Sequence, residues 1–386
     1  MGARPNFMKI APILRAIEKF NTDPQTEHHR LDPCLVHTGQ HYDFEMSRIF
    51  FKDLDLPEPD VHLGIGSGMH GEQTGRVMIE FEKVLVAEKP DLVIVVGDVN
   101  STLACTLASV KLNIPVAHVE AGLRSFDRTM PEEINRVVTD VLSTYLFTPS
   151  PDADENLKRE GIQEERIFRV GNVMVDSLIA SKQKALKSSI LNNLGLAENG
   201  HASAHSLGNR SYALLTLHRP SNVDDQESFL KILKALQVIS KEVPILFPMH
   251  PRSKKQLETF GLRHCFQPLY PPLKVGNAGI YSLAPLGYLH FLRLMMSATF
   301  VVTDSGGIQE EATALGVPCL TIRSITERPI TVNEGSNTLV GNNTERIIEE
   351  ASNILNGRGK KGVIPDLWDG KTAERIMSIL GEMAIK

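Results

Sequence analysis

Short apolar runs alternate with helix-length amphipathic stretches along nearly the whole chain, and that alternation predicts an α/β protein built on parallel sheets. In the first half, strands are expected at Pro33–His37, Leu92–Val96, Val116–Val119, Tyr145–Thr148 and Ile167–Val170. The helices between them fall near Met8–Phe20, Glu72–Ala87, Ser101–Lys111, Glu132–Ser143 and Ala153–Glu160. The pattern restarts at Tyr212–Leu217 and continues through Ile245–Pro248, Phe300–Thr303 and Cys319–Ile322. Lys187–Arg210 and the proline-rich His264–Pro285 lack periodicity and read as surface loops. Asp366–Ile385 reads as a helix able to return to the first domain. The expected organisation is therefore two Rossmann-like domains, residues 1–175 and 176–365, followed by a C-terminal helix over 366–386.

Polar residues recur where these strands end. Asp98, Glu120, His218, His250 and Ser305 each follow an apolar run, and open parallel sheets bind ligands at the carboxyl ends of their strands. The expected ligand site is thus a cleft between the two domains. Thr303-Asp304-Ser305-Gly306-Gly307 carries the sharpest chemical signal. A strand that breaks into Ser-Gly-Gly and then a helix lets backbone N–H groups approach an anion, which suits a nucleotide diphosphate. Glu310 and Glu311 follow on the first turns, where a carboxylate could meet ribose hydroxyls. Near the start, Arg4 and Lys9 lie close to a helix beginning, an arrangement that also suits phosphate.

Asp98 and Glu120 close apolar strands, where a carboxylate is costly unless paired or used. Burial would move such groups toward proton-transfer chemistry. Glu132 and Glu133 follow Pro131 at a helix start, a position that also favours carboxylates for the helix dipole alone. His218 could be a core histidine or a site residue. Gly66, Gly68 and Gly71 fit a dinucleotide fingerprint, but the run before them is broken and no acidic residue ends a strand at the required spacing, so they read as a glycine-rich loop.

Composition narrows the class further. A net charge of −5 leaves no electrostatic footprint for nucleic acid or an anionic membrane. No apolar run is long enough to span a bilayer. Four scattered cysteines, with no C-x-x-C pair, argue against zinc or a disulfide framework and point to the cytoplasm. Gly2-Ala3-Arg4-Pro5 is a turn that would normally follow a strand, so the expectation is a sequence shortened at this end.

Taken in order, several segments resemble the non-hydrolysing UDP-N-acetylglucosamine 2-epimerases over nearly the whole chain. They are Gly2–Lys9, Gly97–Thr102, His118–Ser125, Met130–Arg136, Gly171-Asn172, Thr216–Arg219, Thr303–Glu311 and Thr326–Pro329. The resemblance implies a GT-B fold and interconversion of UDP-N-acetylglucosamine with UDP-N-acetylmannosamine, without metal or cofactor. UDP would be eliminated to leave 2-acetamidoglucal and then added back with C2 inverted. It also implies that Asp98, Glu120, Glu132 and His218 are catalytic. Arg4, Lys9, Phe291, Ser305, Gly306, Gly307, Glu311 and Arg328 correspond to UDP or substrate contacts. Gln40, His41, Gln73 and His250 are candidate effector-site residues. A homodimer is expected from the family alone. The alternatives are a 2-epimerase of a related UDP sugar such as a 2,3-diacetamido uronate, a hydrolysing epimerase, a GT-B glycosyltransferase and an inactive nucleotide-sugar-binding paralogue.

Overall fold

The computed structural model describes residues 4–23, 30–40, 51–196, 212–268 and 278–384. The chain divides into two compact units, one of residues 1–180 and 366–386, the other of residues 181–365.

In the first unit, a four-stranded parallel sheet has the order β3-β4-β5-β6: β3 Val93–Val96, β4 Val116–Val119, β5 Tyr145–Thr148 and β6 Ile167–Arg169. A separate parallel pair joins β1 (Val36–His37) to β2 (Val61–His62). The longer helices of this unit are α1 Arg4–Thr22, α2 His70–Glu88, α3 Asn100–Lys111, α4 Pro131–Leu142, α5 Pro151–Arg159 and α6 Val173–Leu186, the last running across the division between units. Side chains alternate across the sheet, so both faces are covered. Val93 and Val95 meet Val77, Phe81 and Leu85 of α2 and Ala104 and Cys105 of α3. Val96, Val119 and Phe147 meet Ile10, Ile13 and Ile17 of α1 on the other face.

The second unit holds a seven-stranded parallel sheet in the order β13-β12-β11-β7-β8-β10-β9. Its strands are β7 Ala213–Thr216, β8 Ile245–Pro248, β9 Gln267–Pro268, β10 Ile280–Leu283, β11 Phe300–Thr303, β12 Cys319–Thr321 and β13 Asn337–Leu339. The longer helices are α7 Gln226–Ile239, α8 Pro251–Thr259, α9 Tyr288–Ser297, α10 Gly306–Leu315 and α11 Thr344–Leu355. Phe229, Ile232 and Leu236 of α7 and Ile347 of α11 pack on Leu215, Phe300 and Val302. The chain leaves β7 toward β8 and later returns to its other side as β11. The β7–β11 boundary is thus a topological switch point, where the strand ends leave a crevice.

The reading of His264–Pro285 as loop needs correction. It contains β9 and β10, and β10 is an inner strand with Ile280 and Tyr281 buried. Prolines crowd the intervening segment and hide a four-residue strand, too short for its period to show. Of the other expected loop, residues 197–210 lie outside the described residues, and Ile190–Asn193 form a helical turn. The last helix, α12 Thr372–Ala384, belongs to the first unit and adds Ile376, Met377 and Leu380 to the α1 face of its core. Asp176 of α6 caps it by accepting from the N–H groups of Thr372 (3.2 Å) and Ala373 (2.8 Å).

Candidate active site

In the first unit the polar residues gather where β3 and β4 end. Gly97 follows β3 with φ +66°, and a Cβ there would lie 2.6 Å from the Lys9 ammonium, so only glycine fits. Asp98 comes next, 3.1 Å from the guanidinium of Arg136 on α4. Asn135, one residue earlier on the helix, donates to the Asp98 carbonyl at 2.9 Å. Glu120 follows β4 at φ +76°. A non-glycine residue in that conformation costs on the order of 1–3 kcal/mol and persists only where its surroundings hold it. Here the N–H groups of Glu120 and Ala121 both donate to the Phe147 carbonyl at 3.0 Å, and the Glu120 carboxylate is ion-paired with buried Lys9.

The structure separates the two glutamates that open α4. Glu133 is buried, and its carboxylate accepts from the N–H groups of Ser125 and Phe126 and from the Ser125 hydroxyl, each at 2.9 Å. Its role is to fasten the loop after β4. Glu132 is half-buried on the same helix turn, and its carbonyl accepts from Arg136 at 3.1 Å. Arg4 opens α1.

Gln40 and Gln73 form a buried cluster of their own. Gln73 donates to the carbonyl of Gly66 at 2.9 Å and accepts from Asn100 at 2.9 Å, while Gln40 accepts from the Ser101 hydroxyl at 2.7 Å. His41 lies outside the described residues. His250 belongs to the second unit, where its ring stands 5.3 Å from that of His218.

The second unit builds its site at the switch point. Asp304, directly after β11, is fully buried, and its carboxylate gathers the residues that follow β7. It accepts from the N–H groups of His218 (2.9 Å) and Arg219 (2.8 Å) and from the Asn222 amide (3.2 Å). It also lies 3.0 Å from His218 Nδ1, leaving the half-exposed ring oriented by a fixed anion. Ser305 stands at the N-cap position of α10, which starts at Gly306-Gly307. Over that start lies Arg328, which is 2.9 Å from Glu310 and paired with Glu327. Glu327 also meets Arg323 at 2.6 Å and Arg219 at 3.7 Å. Three arginines against two buried glutamates, Glu327 and Glu310, leave one net positive charge among these five side chains beside the positive end of a helix, an arrangement that attracts phosphate.

A Cβ at Gly306 would stand 2.5 Å from Arg328 Nη1, whose guanidinium is held by two carboxylates and cannot swing aside freely. Gly306→Ala should therefore cost about 1–3 kcal/mol of stability, read as a lowered Tm in thermal unfolding.

Glu311, one residue past Glu310, accepts from the Tyr288 hydroxyl at 3.0 Å, and Phe291 is half-buried three residues along α9 from that tyrosine. Burial first, then the neighbouring Glu310 charge, pushes the Glu311 carboxyl up to about 7 from an ordinary 4.5. Between those values the folded chain holds a proton that the unfolded chain has released, so this group lowers stability as pH rises from about 4.5 to 7. Glu311→Gln should thus gain stability over the native protein as pH rises from 5 to 8, by up to about 3 kcal/mol. Denaturant unfolding at the two pH values measures the difference.

Among the described residues, no group of three or more His, Cys, Asp or Glu side chains is placed to hold a metal ion. Sequence reasoning missed Asp304, Arg136 and Tyr288 as members of these sites. Asp304 gave a usable signal, since it follows an apolar strand as Asp98 does. Arg136 and Tyr288 sit inside helices and gave none.

A family model described as UDP-N-acetylglucosamine 2-epimerase matches residues 25–381. The chain belongs to that family. Among UDP-N-acetylglucosamine 2-epimerases, the protein of Methanocaldococcus jannaschii is 47% identical over 98% of this chain and 97% of its own length. The crystal structure of that epimerase in complex with UDP-GlcNAc and UDP aligns with a TM-score of 0.84 at 45% identity, covering 99% of this chain and 98% of that one. A related enzyme, the UDP-2,3-diacetamido-2,3-dideoxy-D-glucuronate 2-epimerase of Pseudomonas aeruginosa, is 41% identical over 92% of this chain and 91% of its own. The fold is α/β of the GT-B type, with parallel sheets in both units.

Proposed function

We propose that this chain interconverts UDP-N-acetylglucosamine and UDP-N-acetylmannosamine by eliminating UDP and adding it back. A base takes the proton from C2 as the C1–O bond breaks, and UDP departs with the bonding pair to leave 2-acetamidoglucal. UDP oxygen then returns to C1 while a proton reaches C2 on the opposite face. Two faces require more than one acid–base group. Asp98, Glu120 and Glu132 in the first unit and His218 in the second are assigned to that work.

The second unit is assigned to UDP. The α10 N-terminus with Ser305, Gly306 and Gly307, together with Arg328, would stabilise charge on the leaving diphosphate. Glu311 would take the ribose hydroxyls and Phe291 the uracil side, with Arg4 and Lys9 of the first unit as further substrate contacts. No metal or organic cofactor enters the scheme. The observation that carries the reading is Glu120, a buried carboxylate held at a strained strand end beside a second strand-end carboxylate, Asp98. A glycosyl transfer takes no proton from C2 and needs one carboxylate base at most, so a pair favours the epimerase reading.

Turnover of UDP-N-acetylglucosamine in deuterated water, followed by NMR, tests it. UDP-N-acetylmannosamine carrying deuterium at C2 is the expected product, and epimer formed without exchange would sink the elimination route. The Pseudomonas relative gives a second reading, the same chemistry on a 2,3-diacetamido uronate. Turnover of that sugar with none of UDP-N-acetylglucosamine would establish it.

We assign the enzyme to the cytoplasm and to a homodimer. No helix among the described residues is long and apolar enough to cross a membrane. The dimer assignment rests on the family resemblance, and the face offered for it is that of α2 and α4, which flank α3 and carry Ile79, Val86, Ile134 and Val141, each at least half accessible. Ile79→Lys with Ile134→Lys should give the monomer mass by light scattering if this face pairs.

A further inference from the structure

His118 is the third residue of β4, fully buried, and no step of the reaction uses it. Its Nε2 lies 2.8 Å from the carbonyl oxygen of Gly97, and its Nδ1 lies 2.6 Å from Oδ1 of Asp140 on α4. A carbonyl only accepts, so Nε2 donates. Asp140 is fully buried, which works against ionisation, yet His118 and then Arg124 hold its carboxyl below the usual range. The ring thus bridges two fixed groups.

Each of the two leads to a proton-transfer residue. Gly97 sits at φ +66° directly before Asp98, and its N–H donates to Val119 at 3.0 Å, directly before Glu120. The other oxygen of Asp140 accepts from the N–H of Gly122 at 3.0 Å, two residues after Glu120. It also accepts from Arg124 at 2.7 Å, and Arg124 reaches Glu160 at 2.8 and 2.6 Å. Gly122 itself is at φ +80°, so the chain passes through two positive-φ positions within three residues.

We propose that His118 is a positioning residue, and that its bridge from the Gly97 carbonyl to Asp140 sets the two turns that carry Asp98 and Glu120. The ladder reaches Gly97 and Glu120 through their N–H groups and Asn135 holds the Asp98 carbonyl, but the Gly97 carbonyl and the Gly122 turn need a further constraint. His118 supplies it from beneath, without contact with substrate. The proposal rests on the assignment of Asp98 and Glu120 to the epimerase reaction.

Two near-isosteric variants divide the bridge. The amide of His118→Asn can still donate to Asp140 but does not reach Gly97, while His118→Gln places its donor toward Gly97 and leaves Asp140. A misplacement of about 1 Å in a proton-transfer group lowers turnover roughly 100-fold. His118→Asn should therefore lose about 100-fold in kcat with KM for the UDP sugar within about twofold, and His118→Gln should recover about tenfold of that loss. The crystal structure of His118→Asn should show the Gly97–Asp98 turn displaced. Native kcat in both variants, a raised KM at native kcat, or an unmoved turn would overturn the proposal. If the native protein neither epimerises nor exchanges deuterium, the reading of the reaction fails instead, and displacement of the turn decides the positioning role by itself.

Discussion

Asp98→Asn is expected to lower kcat by roughly 10²–10⁴-fold, the range for loss of one positioned proton-transfer group. The amide keeps the size and planarity of the carboxylate, so the change is one of charge and basicity. It also withdraws the anion from Arg136, a buried guanidinium whose remaining carboxylate partner is Glu133 at 3.4 Å. A modest loss of stability should therefore accompany the loss of rate. UDP affinity should stay within about twofold, because the residues assigned to the nucleotide lie elsewhere. Deuterium wash-in at C2 should fall in step with kcat. A variant retaining more than a tenth of native turnover would remove Asp98 from the chemistry.

Asp304→Asn should produce the second large effect, on stability and turnover together. One oxygen of the carboxylate becomes an NH₂ group, yet the site presents only donors: two backbone N–H groups, the Asn222 amide and His218. Breaking a buried charged cluster in this way costs about 3 kcal/mol, which for a unit of this size is a fall of roughly 6–12 °C in Tm. Burial works against ionisation of Asp304, but the bonds from His218 and Arg219 hold its carboxyl below the ordinary 3.8. A depressed carboxyl contributes stability that is present above its unfolded value and is lost as pH falls through its folded one. The gap between native protein and variant should hold at pH 7 and close below about pH 4. Turnover should fall because the His218 ring loses its orienting anion. A variant with native Tm would show that another group satisfies these donors.

The strands that could be read in advance are those whose apolar runs end in a polar residue. Val93–Val96 and Phe300–Val302 are buried on both faces and so carry continuous apolar runs, and Val116–Val119 is interrupted only by the buried His118. The strand at Ile280–Leu283 could not be read, since its few residues follow a proline-rich segment. β13, which among the described residues pairs with β12 alone, has Asn337 and Thr338 in its three residues and gave no signal either. The candidate site was legible where a side chain sits directly on a strand end, as with Asp98, Glu120 and His218. It was illegible where a helix residue reaches back, as Arg136 and Tyr288 do, because helical periodicity marks a buried face without saying which polar group meets it. Glu132 and Glu133 are alike in sequence, and only the three donors gathered by Glu133 tell them apart.

Because α12 completes the core of the first unit, that unit cannot finish folding until residues 372–384 have been made. Ile376, Met377 and Leu380 cover the same apolar layer as Ile10, Ile13 and Ile17, yet they leave the ribosome more than three hundred residues later. At 5–20 residues per second the wait is on the order of 20–70 s. During that time residues 181–365 can collapse into their own sheet, while the α1 face of the first unit stays open to chaperones or to misassociation. Synthesis thus lets residues 181–365 mature before the unit whose two segments flank them in sequence.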